Sequence, residues 1–401
     1  MQKVGWFKIV KASFLISGTC IGGGMLALPV TSSALGFLPT LFVMLLCCVF
    51  MTLTGLLYLE VTLPLKERAH INSLAATFLN PFWRGVCWLV YLFICYASLI
   101  AYISGGGKEI SFVISEIFQG SYTTAAGMTT FVLLFGLILF MGHRSIERVN
   151  TLLFASMIIA YVLLLLFSGS KIEPGMLARQ QWNGHLLFIV PLMLAMFSFP
   201  GLVPSIVPFL EKDVGAVRKA IILGTSLTFL VYFLWLLLVF GSVPHLGEHG
   251  LQEAFECDIP ATECLHYALK NPAISAIAQF FAFFALATSF LGISLSLFDF
   301  LKDAIHLKVS KLLQGAFICL LILAPSLLFA LRFDRIFITA LELSGGVGDA
   351  LISGIIPALM VWNARYAYKK QGYEVAGGKP LLIGIIAFST LILVCEIARR
   401  F

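Results

Sequence analysis

Apolar runs of about twenty residues, long enough to cross a hydrocarbon core as a helix, recur along the whole chain between short polar stretches. They predict eleven spans, over 8–35, 38–62, 84–108, 123–142, 149–169, 184–210, 216–243, 273–301, 310–331, 334–363 and 380–398. Inside two of them the pattern fails. Gly18-Thr19-Cys20-Ile21-Gly22-Gly23-Gly24-Met25-Leu26-Ala27-Leu28-Pro29 puts four glycines and a proline into the first span, and Phe197-Ser198-Phe199-Pro200-Gly201-Leu202-Val203-Pro204 interrupts the sixth. Both read as helices that break at membrane depth, where freed backbone groups are tolerated only against a cavity or against protein.

The two breaks also organise the chain. Each opens a set of five helices, over 8–170 and 184–363, within one membrane domain of 1–401, and 380–398 is an additional helix. An offset of five helices inverts the second set relative to the first, the plan of many secondary carriers whose site lies between paired broken helices. Such a site can hold a zwitterion without a full charge. A half-helix starting at Gly22, Gly23 and Gly24 presents free amides and a positive dipole end to a carboxylate. Halves ending near Ser17 to Cys20 and Phe197 to Phe199 offer carbonyls to a cation. Thr19, Ser198, Phe199 and Pro200 belong to the same two breaks, and Tyr102 of the third span adds an aromatic face. Gly18-x-x-x-Gly22 alone is equally a helix-packing spacing; with Gly23, Gly24, Pro29 and the second break it reads as a site.

Composition narrows the class. At 60% hydrophobic and 11% charged residues, with mean hydropathy +1.00, the chain is an all-α polytopic membrane protein; soluble domains carry about 25% charged residues. Its partner is the lipid bilayer, and no nucleic acid is expected. Lys3, Lys8 and Lys11 precede an apolar run as in a secretory signal, but the run continues without a cleavage site and is expected to stay as the first helix. With the amino terminus inside, inner loops hold eighteen of the lysines and arginines and outer loops eight, which predicts amino terminus in and carboxyl terminus out. The acidic loop from His245 to Pro272 (Glu248, Glu253, Glu256, Asp258, Glu263) is expected to fold as a short helical lid. Cys257 and Cys264 within it could pair if that side is oxidising. The segment from Leu65 to Pro81 is either a surface helix or a solvated loop.

Polar groups inside spans are functional candidates by default. Thr288 and Ser289 of the eighth span either ligate a small cation or bond back to their own helix. Glu342 and Asp349, seven residues apart, are read as sharing a helix face and as candidate proton carriers. Lys108 and Glu109 are expected near the outer end of the third span, paired with each other or hydrated. Glu60 and Asp299 fall near the inner surface, where an ion pair with a loop arginine is the plain reading. No metal ligand set and no cofactor are indicated. Gly346-Val347-Gly348-Asp349 and Pro357-Ala358-Leu359 match motifs of intramembrane aspartyl proteases, but both lie on one helix and Asp299, the candidate second carboxylate, follows Phe298 rather than tyrosine. No enzyme is expected. Ser104 to Glu109 lacks the first glycine and the hydroxyl of a phosphate loop.

The first break resembles the first-helix signature of the bacterial hydroxy and aromatic amino acid permeases. Ala101-Tyr102-Ile103-Ser104-Gly105-Gly106-Gly107, Val203-Pro204-Ser205-Ile206-Val207 and Ala287-Thr288-Ser289-Phe290-Leu291-Gly292, running on to Leu297-Phe298-Asp299, are similar to the same family. The resemblance implies an eleven-helix permease of the bacterial inner membrane with the five-plus-five inverted-repeat fold of LeuT and APC-type carriers, helices 1 and 6 broken. It implies uptake of an aromatic amino acid, tyrosine above all, by proton symport, with sodium coupling or a broader hydroxy amino acid range as alternatives. Lys108 stands where an acidic residue is expected in such carriers, and the fifth span has no lysine.

Overall fold

The structure, a computed structural model, describes residues 4–65, 71–118, 120, 122–304, 310–333, 336–369 and 372–400. Among them every regular element is helical. The chain opens with α1 (Trp6–Cys20), α2 (Gly24–Thr31) and α3 (Phe37–Thr62), continues through α4 (Ile71–Phe78), α5 (Pro81–Phe118), α6 (Thr124–Phe140) and α7 (His143–Ser168), and passes a short α8 (Pro174–Leu177). Then come α9 (Val190–Met196), α10 (Val203–Phe209) and α11 (Val214–Ser242), the small helices α12 (Leu251–Cys257) and α13 (Ala261–Leu269), α14 (Pro272–Ala304) and α15 (Lys311–Arg332). A final crossing runs through α16 (Ile336–Leu343), a π-wound stretch Ser344–Ile355, α17 (Ile356–Trp362) and a π turn Asn363–Ala367, before α18 (Gly378–Arg400).

Among the described residues nine helices are long and apolar enough to cross a membrane. The bent pair α1 and α2 forms a tenth, and the apolar α6 is shorter. Side chains such as Leu152, Ile159 and Leu166, seven apart on α7, are exposed, as a lipid-facing stripe requires. The interior divides in two. One core gathers α1, α2, α3, α9, α10, α11 and the 336–362 crossing; a smaller one joins α5, α6, α14 and α15.

Two elements depart from expectation. The third span does not end at 108 but runs to Phe118. Its glycine run packs rather than breaks: a side chain at Gly106 would strike the Phe131 ring, and one at Gly107 the α6 backbone at Met128. The residues expected to share a face, Glu342 and Asp349, point to different neighbours, because the i→i+5 winding from Ser344 turns Asp349 toward Ser198 while Glu342 meets α18.

The short helices expected in the 245–272 loop are present as α12 and α13. The cysteines of that loop are both free, Cys264 buried and Cys257 exposed, so the disulfide is not formed. Residues Ile71–Phe78 of the 65–81 segment are helical. Lys66, Glu67, Arg68 and His70 lie outside the described residues, as do Lys3, Lys308, Arg335 and Lys370 among the cations used for orientation.

A candidate substrate site at two helix breaks

Helix α1 ends at Cys20, Ile21 turns to an extended conformation, and α2 starts at Gly24 at an angle of 57°. The second interruption is milder. Helix α9 stops at Met196 and α10 begins at Val203, with one 3-10 turn, Pro200–Leu202, between them. Residues 184–209 still pass as one span, because the turn keeps short-range bonds: Phe199 N–H to Phe197 O at 2.8 Å and Leu202 N–H to Phe199 O at 2.8 Å. The expectation of two equally broken helices is therefore corrected for the second one, which unwinds without a sharp bend.

The breaks lie against each other. A side chain at Gly24 would come within 3.1 Å of Met196 Cγ. Both half-helix ends leave carbonyls that their own helices cannot satisfy, and one residue takes both: the fully buried Tyr232 of α11 donates to Cys20 O at 2.6 Å and to Met196 O at 3.0 Å. Its ring meets Phe197 edge-on, centroids 5.3 Å apart. One turn on, Trp235 Nε1 donates to Met25 O at 2.8 Å. That carbonyl would ordinarily receive the N–H of residue 29, which is proline and has none. The sequence reading missed Tyr232 and Trp235. A search for donors matching the carbonyl orphaned by Pro29 could have drawn attention to the polar aromatics of the seventh span.

The expected site residues separate into three groups. Gly22, Gly23, Tyr102 and Ser289 come together: the Gly23 amide donates to Ser289 Oγ at 3.1 Å. A side chain at Gly23 would lie 3.0 Å from the Tyr102 ring and 2.8 Å from Leu286, and one at Gly22 would collide with Ser289. Ser198 and Asp349 form a second group, with Ser198 Oγ donating to Asp349 Oδ1 at 2.5 Å and Ser353 Oγ to the same oxygen at 2.8 Å. The remainder stand apart. Thr19 is exposed and its hydroxyl bonds back to Leu15 O; Thr288 bonds back to Phe284 O and Ala285 O. Pro200 is buried at the start of its turn. Phe199 is fully buried, its ring packed on α3 so close to Gly55 that an added Cβ there would be 2.8 Å away.

Charges sit toward the two ends. At one end Glu60 and Arg365 form a buried two-pronged pair, both bonds 2.6 Å, and the Val375 N–H adds a third donor to Glu60 at 2.8 Å. Asp299 at the same end pairs with His143 at 3.0 Å rather than with an arginine. At the other end Lys108 bonds Asp258 Oδ2 at 2.9 Å rather than Glu109, and the same carboxylate accepts the amides of Phe337 and Ile338 at 3.1 and 2.9 Å, capping α16. Glu109 accepts from Thr262 of the lid at 3.4 Å. Burial raises the proton affinity of Glu263 on α13, against the opposing pull of Lys108 and His249. Glu342 is held by Arg399 and Arg400 of α18, which also bind Glu396.

A cavity of about 690 Å³ opens at this lid end, lined by Thr31, Ser33, Asp258, Glu342, Arg399 and Arg400 among others. It begins at the far end of α2 and not at Gly23, where Ser289 and Tyr102 occupy the space beside the amide. Among the described residues no cluster of His, Cys, Asp and Glu suits a metal ion.

Comparison with known proteins points the same way. A family model described as the tryptophan/tyrosine permease family matches residues 7–396. A tryptophan-specific transport protein of Haemophilus influenzae is 29% identical, the match covering 98% of this chain and 96% of the relative. Tyrosine-specific transport system 1 of the same organism is also 29% identical, over 98% of this chain and 97% of its own. Among solved structures, MhsT in complex with L-phenylalanine superposes with a TM-score of 0.64 at 12% identity, covering 100% of this chain and 99% of MhsT, which is a likeness of fold.

Proposed function

Because the chain belongs to the tryptophan/tyrosine permease family, we propose that it imports an aromatic amino acid, tyrosine first, across the bacterial inner membrane by proton symport. The nine long spans, the bent α1–α2 pair and α6 then make eleven crossings, amino terminus cytoplasmic and carboxyl terminus periplasmic. The repeats are 8–170 and 184–363. In support, proposed counterparts pack together, α3 on α11 and α5 on α14, as they would about a two-fold axis. The end holding Glu60 and Arg365 faces the cytoplasm, and the cavity under α12 and α13 is the outer vestibule.

The observation that carries this reading is the pair of half-helix ends joined at Tyr232, with the Gly23 amide a few residues away bonded to the side-chain hydroxyl of Ser289. A substrate carboxylate takes the Gly22 to Gly24 amides, displacing Ser289 from Gly23, and the dipole of α2 favours it. The ammonium takes second lone pairs of the carbonyls that end α1 and α9, since each carbonyl accepts twice. The aromatic ring lies on Tyr102.

Tryptophan is the second reading, favoured by the tryptophan-specific relative at equal identity. Uptake of labelled tyrosine into liposomes holding the purified protein, challenged with tryptophan, phenylalanine and serine under a proton or a sodium gradient, tests both. Saturable, proton-driven uptake displaced by aromatic competitors is expected. Uptake that serine blocks equally refutes aromatic selectivity, accumulation on sodium alone refutes proton coupling, and no saturable uptake refutes the carrier.

A further inference from the structure

We propose that Asp349 is the group that binds the coupling proton, and that the second helix break responds to that proton through Ser198. The inference rests on the proton-symport reading above and adds where the proton sits and what it moves.

Asp349 is 1% exposed and lies midway along the π-wound stretch Ser344–Ile355. Its Oδ1 takes the hydroxyl protons of Ser198 at 2.5 Å and Ser353 at 2.8 Å, while Oδ2 is buried with no partner among the described residues. No ion pair to Asp349 occurs among those residues. Among the described residues, Cys20 of α1, Tyr58 of α3 and Tyr102 of α5 are near enough to interact with its charge, and none of the three is a cation. Of the other elements packed on this stretch, α9, α17 and the Pro200–Leu202 turn bring no titratable side chain. Helix α16 brings Glu342, and α18 brings Glu396, Arg399 and Arg400, which pair among themselves and with Glu342. Helix α18 also brings Cys395 and Lys379, whose ammonium lies over the Trp362 and Tyr366 rings.

A carboxylate removed from water without a counter-charge is disfavoured against its neutral acid. Two donors on one oxygen pull the other way by supporting the ionised form. These opposed influences give a group that can exist in both states, and they leave Oδ2 open to the proton. A hard metal cation instead requires a shell of several oxygens, and one carboxylate with two serine hydroxyls is a poor start on it.

The link to the break follows from bond strength. Ser198 lies between the end of α9 and the start of α10, and its bond to an ionised carboxylate is roughly twice as strong as one to a neutral acid. Protonation therefore slackens a tether on the break, and release of the proton tightens it. The carbonyl of Met196, two residues before Ser198, is one of the two held by Tyr232, so the change arrives beside the proposed ammonium position.

The test uses the full chain in liposomes with an internal pH dye, together with the pH dependence of tyrosine affinity. Asp349→Asn is expected to reduce tyrosine-driven proton entry at least tenfold and to flatten the pH dependence of affinity, while tyrosine–tyrosine exchange continues at a measurable rate. Ser353→Ala removes one donor from the ionised form, so the pH midpoint of affinity is expected to move upward by about one unit; a purely structural role would leave the midpoint in place. Proton-driven accumulation by Asp349→Asn, or an unmoved midpoint in Ser353→Ala, overturns the inference. If Asp349→Asn does not fold, the midpoint of Ser353→Ala decides. Wild-type protein that takes up no tyrosine with protons fails the symport reading itself, whereas wild-type coupling that survives Asp349→Asn fails this inference alone.

Discussion

Replacing Tyr232 by phenylalanine keeps the ring against Phe197 and removes one oxygen. That oxygen is the donor to Cys20 O at 2.6 Å and Met196 O at 3.0 Å, at a fully buried position. One hydroxyl has one proton, so the loss is one good bond and a shared weaker one, not two full bonds. Leaving a buried acceptor unpaired costs about 1–3 kcal/mol, and bonds between membrane helices measure about 0.6 kcal/mol on average and about 1.7 at most. A loss of roughly 1–2 kcal/mol in unfolding free energy follows. If the bonds form in one conformation of the transport cycle and not in the other, the same energy shifts that equilibrium about 5–30-fold, which lowers the maximal uptake rate rather than membrane insertion. The control is Tyr161→Phe, which removes an equally short bond, to Val231 O at 2.6 Å, between α7 and α11. It should lose stability without a comparable loss of rate. Thermal unfolding in detergent and initial uptake rates in liposomes measure both quantities. Wild-type uptake in Tyr232→Phe, or an equal rate loss in Tyr161→Phe, refutes the view that Tyr232 joins the two breaks for function.

Three further outcomes are expected. Gly23→Val should abolish saturable uptake while the protein still inserts, because the nearest atoms of Leu286 and Tyr102 leave no room for a branched side chain; normal uptake would exclude a site at this amide. Glu60→Gln removes the charge that pairs buried Arg365 and should destabilise the protein by about 3–5 kcal/mol, seen as a lower unfolding midpoint that salt does not restore. For Glu263, whose folded-state pKa burial raises, the contribution to stability is complete below the unfolded carboxyl pKa and is lost as pH rises through the folded value. Glu263→Gln should therefore flatten that part of the unfolding-versus-pH curve, and an unchanged curve would show that this residue does not set it.

The first break was legible because glycine and proline act locally: Gly22 to Gly24 and Pro29 disfavour a continuous helix whatever surrounds them. Most long helices were legible for a related reason, since an apolar run of about twenty residues favours one helix, although α5 runs on past its apolar stretch to Phe118. What could not be read was set by partners distant in sequence. Phe199 looked like a pocket ring, yet a glycine 144 positions earlier, Gly55, gives it a place in the core. Glu342 looked like a twin of Asp349 by spacing, but the π winding after Leu343 separates them. Tyr232 gave no local signal, because a tyrosine in an apolar span is equally an interface anchor or a core residue.

Taken together, the contacts describe a centre with few formal charges between two charged ends. The ion pairs of Glu60 with Arg365 and of Lys108 with Asp258, and the group formed by Glu342, Glu396, Arg399 and Arg400, lie toward the ends of their crossings. Around the breaks the polar groups are amides, carbonyls, hydroxyls and the carboxyl of Asp349. A zwitterion held by backbone dipoles brings its own two charges into the site and takes both away, so the empty site leaves no unpaired ammonium or guanidinium behind in lipid. On the proposed reading, that arrangement allows the loaded and unloaded forms to cross between conformations at similar cost. With proton symport as proposed, the charge of Asp349 is the variable that separates them, and the neutral donors Tyr232 and Trp235 suit a site that keeps no resident cation.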